Sequence, residues 1–129
     1  MLTPNITATA TTTVTDENTA KTMGSGSLKV FATPAMVALM EKAACACVEE
    51  KLDEGMTSVG TMLDIKHLAA TPKGMEVKAT ATLTEIDGRR LVFDITVSDG
   101  IDTIGSGRHE RFIVNAEKFM GKAYGKKEL

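Results

Sequence analysis

The sequence predicts an α+β fold in which an antiparallel meander sheet wraps one long central helix. Three observations carry that expectation. A single stretch, Thr33 to Gly55, has helical signals at both ends and apolar residues around most of its circumference. The segments after it alternate apolar and polar residues, as half-buried strands do. Asp-Gly pairs sit where hairpins would join those strands.

Taken in order, Ile6 to about Thr15 (ITATATTTVT) is dominated by β-branched residues and is expected to be extended. Asp16 to Ser27 is polar, ends in Gly24-Ser25-Gly26-Ser27 and reads as a flexible loop. Thr33-Pro34 then combines an N-cap hydroxyl with proline at the first helical position. Met36, Val37, Leu39, Met40, Ala43, Ala44, Cys47 and Val48 follow, so this helix should be buried on more than one side. Glu49, Glu50, Lys51, Asp53 and Glu54 carry it into solvent, and Gly55 is expected to stop it. Thr57–Leu68, Met75–Ile86 and Leu91–Ser98 read as strands, with Asp87-Gly88 turning between the last two. Asp99-Gly100 leads into a final strand, Ile101 to Val114, where Gly105-Ser106-Gly107 signals a bulge or a close backbone approach. Ala116 to Tyr124 is a candidate terminal helix. One strand, one long helix and four strands joined by short turns make the arrangement called a hotdog fold.

The length of 129 residues fits one domain, taken as 1–129. The hydrophobic fraction, 43%, is enough for one core, but that core has no Trp, one Tyr and four Phe against eight Met. Small and flexible side chains pack it, so a shared interface would add useful buried area, which hints at association. Fifteen basic and 17 acidic residues are interspersed for a net charge of −2, which argues against nucleic acid as a partner. No apolar run approaches the roughly 20 residues that span a bilayer, and no signal peptide is seen, so no membrane is expected and the location should be cytoplasmic. Cys45 and Cys47 lie two apart on the helix, where they can neither pair nor share a metal, and are expected as free thiols in a reducing compartment. Nothing shows metal-ligand spacing, so neither a metal nor a cofactor is expected.

Three residues look chemically out of place. Glu41 falls on the stripe Val37, Glu41, Ala44, Val48, where a carboxylate needs a partner or a proton; its bland reading is an interface ion pair. In the strand ending at His67, unbroken alternation puts Val59, Thr61, Leu63, Ile65 and His67 on the face toward the helix. A lone inward histidine is commonly a satisfied core residue, but an inward His beside an inward Glu suggests acid–base work. Thr33 is expected as the helix N-cap, and the helix start could also hold a developing oxyanion. A hydroxyl, an imidazole and a carboxylate are together the set that activates a nucleophile or a water.

The stretch Val30-Phe31-Ala32-Thr33-Pro34-Ala35-Met36-Val37-Ala38-Leu39-Met40-Glu41, then Gly60, then Lys66-His67-Leu68-Ala69-Ala70-Thr71-Pro72-Lys73-Gly74, resembles the fluoroacetyl-CoA thioesterase family. The resemblance continues through Asp87-Gly88-Arg89-Arg90-Leu91, Asp99-Gly100 and Gly105-Ser106-Gly107-Arg108-His109-Glu110-Arg111, spanning nearly all of Val30 to Phe119. It implies a hotdog homodimer with its active sites at the subunit interface, and a catalytic set on Thr33, His67 and Glu41. Substrate contacts carry over to Gly60, His67 and Arg111. Arg111 also has a bland reading as a strand residue with an exposed guanidinium, and His109 receives no role. One departure stands out: the fluoroacetyl enzyme places two phenylalanines ahead of the helix as an apolar lid, and those offsets hold Gly24 and Ser27 here. The gate is then missing, or supplied by another residue such as Leu28.

The expected function is hydrolysis of a short acyl-CoA thioester. Arg89, Arg90, Arg108, Arg111 and the Lys-rich tail are available for the phosphates of CoA. A non-catalytic acyl-CoA binding protein on the same fold is the alternative, and a purely structural dimer is the third reading.

Overall fold

The structure is a computed structural model that describes residues 1–129. Five strands, β1 (Thr7–Thr13), β2 (Met56–His67), β3 (Glu76–Asp87), β4 (Arg90–Ser98) and β5 (Thr103–Asn115), form one antiparallel sheet in the order β1-β3-β4-β5-β2. A short helix, α1 (Ala20–Met23), precedes the long helix α2 (Thr33–Val48), and α3 (Ala116–Gly125) follows the last strand. The strand alternation predicted this sheet closely. Val77, Ala79, Ala81 and Leu83 on β3, and Leu91, Phe93, Ile95 and Val97 on β4, are all buried in the core. Ala79 and Ala81 keep the sheet surface low, so α2 packs directly on β1, β3 and β4. No helix is long and apolar enough to cross a membrane.

Met36, Leu39, Met40, Ala43, Ala44, Cys47 and Val48 make the buried stripe of α2, at the spacing of one helical face. The flank at Val37, Glu41 and Cys45 is only half-buried and faces the side where α2 barely touches β2. Three local expectations need correction. The polar segment 16–27 contains a 3-10 turn, Asp16–Asn18, and α1, held by side-chain bonds from Thr15 and Thr19. α2 ends at Val48, not Gly55, with no basic residue in its last turn and Glu49 and Glu50 at the negative end of its dipole. Gly55 instead takes a left-handed turn (φ 81°) into β2.

One more correction, and one expectation that holds as a close backbone approach, shape the functional region. The alternation along β2 breaks at a bulge between Gly60 and Met62, so Leu63, Ile65 and His67 share a face with Gly60 and Ser58 rather than with Thr61 and Val59. Gly105 and Gly107 pair with His67 and Ile65 without a bulge. Their hydrogens fill space a side chain could not: a Cβ would strike the Met36 side chain at Gly105 and the Asp64–Ile65 backbone at Gly107.

Candidate active site

His67 is the last residue of β2, and the chain beyond it is tied down on both sides. The Leu68 N–H donates to the Ile104 carbonyl (2.7 Å), and the Phe31 N–H donates to the Thr71 carbonyl (2.9 Å). Thr71, fully buried, also donates from its hydroxyl to Asp99 Oδ2 (2.8 Å). Asp99 in turn accepts the Ile101 and Asp102 N–H groups, bonds that hold its carboxyl below the usual carboxylate range. This clamp presses the end of β2 against the start of α2. Thr33 Oγ1 and His67 Nδ1 consequently lie 2.7 Å apart.

Thr33 is not the N-cap. It is the first helical residue; Ala32 occupies the cap position and offers no side-chain bond. The hydroxyl is therefore free for His67, and the first-turn N–H groups have no side-chain acceptor. For His67 to take the hydroxyl proton, Nδ1 must be bare and Nε2 must carry the hydrogen. Nε2 is buried without a hydrogen-bond partner in the single chain. A cleft of about 350 Å³ opens beside the pair, lined by Val30, Phe31, Leu68, Ala69, Ala70 and Ala20 together with Ser25. Leu28 is exposed to solvent and does not line it, so Leu28 does not stand in for the missing gate.

A second polar cluster forms farther along the same face. Arg111 is buried, which sets aside the bland reading of it as a strand residue with an exposed guanidinium. It donates from Nε to Ser58 Oγ (2.8 Å), from Nη2 to the Ser58 carbonyl (2.9 Å) and from Nη1 to His109 Nε2 (3.2 Å). Glu41 Oε2 lies 3.6 Å from the same Nη1. Gly60 makes the approach possible: a Cβ there would sit 2.8 Å from Glu41 Oε2 and 3.2 Å from His109 Cε1.

The single chain thus brings Thr33 to His67 and brings Glu41, Gly60 and Arg111 together, but it does not bring the two groups to each other. Thr33 and Glu41 are eight positions apart along the helix, about 12 Å at 1.5 Å per residue. His109 and Ser58 had no role assigned from sequence. The signal for His109 was available in β5: residues 105, 107, 109 and 111 fall on one face, where two glycines leave room and two polar side chains must satisfy each other.

Burial pushes both histidines below their ordinary range; at His67 the nearby Ala69 backbone opposes this in part, and at His109 the Arg111 charge adds to the lowering. The unfolded chain binds protons on these histidines below about pH 6.5, while the folded chain resists them. Their contribution to stability is complete above that pH and is lost as pH falls through the folded values. The thermal midpoint is expected to drop between about pH 7.5 and 5.5, and His67→Ala should flatten that slope. An unchanged slope in the variant would exclude His67 as a source of it.

Residues 14–117 match the family model described as fluoroacetyl-CoA-specific thioesterase. The chain is 46% identical over 94 residues to a fluoroacetyl-CoA thioesterase of Streptantibioticus cattleyicolor, covering 73% of this chain and 68% of that protein. Among solved structures, a Thr-to-Ser variant of the fluoroacetyl-CoA thioesterase in complex with acetyl-CoA superposes with a TM-score of 0.91 at 36% identity, covering 97% of this chain and 98% of that one. A Thermus thermophilus thioesterase superfamily member gives a TM-score of 0.91 at 29% identity, covering 99% and 95%.

Proposed function

The chain belongs to the fluoroacetyl-CoA-specific thioesterase family, and from that premise we propose that it hydrolyses short acyl-CoA thioesters at a site shared by two copies of the chain. It is an acyl-CoA thioesterase with the hotdog fold. The observation that carries the catalytic reading is the 2.7 Å contact between Thr33 Oγ1 and His67 Nδ1 at the mouth of an apolar cleft. Burial keeps His67 uncharged at neutral pH, so its imidazole is free to accept a proton. The uncapped first turn of α2 offers N–H groups and the positive end of the helix dipole to the thioester oxygen as it gains charge. Attack comes from Thr33 Oγ1, or from a water held between it and His67. The new C–O bond forms, the C–S bond breaks, and CoA leaves as the thiol with the proton His67 had taken. In the first route water then cleaves an acyl-threonine.

Glu41 completes this set from the partner subunit. β2 is an edge strand, and Leu63 on its helix-facing side is 40% exposed in the single chain. Antiparallel pairing of β2 with its counterpart, about a two-fold axis near Leu63 and Asp64, sets Gly60 opposite the partner's His67. Glu41 and Arg111 surround Gly60, so each site takes its hydroxyl and imidazole from one chain and its carboxylate and guanidinium from the other. Residues 1–129 act as one domain in this reading. A cytoplasmic setting suits Cys45 and Cys47, which are free thiols.

Thiol release from a panel of acyl-CoAs tests the proposal directly: turnover of short acyl groups is expected, and binding without thiol release would make the protein a non-catalytic acyl-CoA binder. Gly24 and Ser27 stand at the offsets of the phenylalanine lid, so fluoroacetyl-CoA and acetyl-CoA should differ by no more than about 10–200-fold in kcat/KM, the worth of small apolar contacts. A much larger preference would mean that another part of the cleft reads the fluorine.

A further inference from the structure

His109 is the most deeply enclosed ionisable side chain of the site, fully buried and stacked on Phe93 with ring centroids 6.0 Å apart. Its two ring nitrogens have complementary partners. Nδ1 lies 2.8 Å from the Met62 carbonyl, which can only accept, so Nδ1 carries the hydrogen. Nε2 lies 3.2 Å from Arg111 Nη1, which can only donate, so Nε2 is the acceptor. The partners alone select one neutral tautomer.

The consequence falls on Arg111. Ser58 holds its Nε and Nη2, and His109 is the hydrogen-bond acceptor for Nη1. Without that acceptor, Nη1 would turn from His109 and tighten its 3.6 Å ion pair with Glu41 into a hydrogen bond. We propose that His109 is a positioning residue: it pins the Arg111 guanidinium to the bulged strand and holds it off Glu41, leaving its remaining N–H groups free for acyl-CoA beside Gly60. This rests on the reading of Arg111 as a substrate contact.

Two substitutions separate the bonds of His109. In His109→Gln the side-chain oxygen reaches the place of Nε2 and keeps an acceptor for Arg111. In His109→Asn the amide reaches the place of Nδ1 and keeps only the donor to Met62. KM for acetyl-CoA should rise about tenfold in His109→Asn, the loss of one charge-assisted hydrogen bond, with kcat changed far less, and should stay near wild type in His109→Gln. Arg111→Lys should raise KM by a similar factor. If Arg111→Lys raises KM but the two His109 variants behave alike, or simply follow their thermal midpoints, His109 is structural and the proposal is overturned. If Arg111→Lys leaves KM unchanged, the substrate-contact reading fails and takes the proposal with it. Imidazole 15N spectra of the wild-type protein need no substitution: with two histidines in the chain, one should be protonated on Nδ1 at neutral pH. Finding both protonated on Nε2 would overturn the assignment.

Discussion

His67→Ala is expected to cut acyl-CoA turnover by about 10²–10⁴-fold, the usual contribution of a positioned acid–base group, while the protein stays folded. Nε2 of His67 has no partner within the chain, and its one side-chain bond is to Thr33, so little of the fold depends on the imidazole. Thr33→Ala should lose activity on a comparable scale, yet cost less than about 1 kcal/mol, because Thr33 is the first helical residue and caps nothing. Thr33→Ser restores a hydroxyl at 2.7 Å from Nδ1 and should recover at least part of the rate. Thermal midpoints and thiol release on the three variants separate chemistry from architecture. Full activity in folded His67→Ala would remove the imidazole from the mechanism.

Most of the sheet was legible because strand signals are local: alternation and Asp-Gly turns located β3, β4 and β5 within a few residues. The end of α2 was not, because Glu49, Glu50 and Lys51 have good helix propensity and only their position at the negative end of the dipole argues against continuing. Thr33-Pro34 announced a helix start correctly and misplaced it by one residue. That shift matters, since it converts a capping hydroxyl into one aimed at His67. The β2 bulge was invisible in the sequence, since a Gly at position 60 is equally consistent with close approach, which it also provides. Thr33, Glu41 and His67 stood out as polar residues in apolar settings, and two of the three meet. Glu41 lies with Arg111 instead, a contact between distant elements that no local pattern announces.

A site shared between two chains, as proposed, makes an expectation that a single-chain site does not. Sedimentation or light scattering should give twice the chain mass, since β2 and the half-buried flank of α2 both lack cover in one copy. Glu41→Ala should then be impaired for a reason different from His67→Ala, because each loses a group contributed by a different chain to the same site. The two variants, each nearly inactive alone, are unfolded together and refolded as a mixture. A mixed dimer carries one site with both substitutions and one site with neither, so statistical assembly should return about a quarter of the wild-type thiol-release activity. Mixed dimers that form, as confirmed by a mass tag on one chain, and yet show no activity above the two variants alone would contradict a site built from both chains.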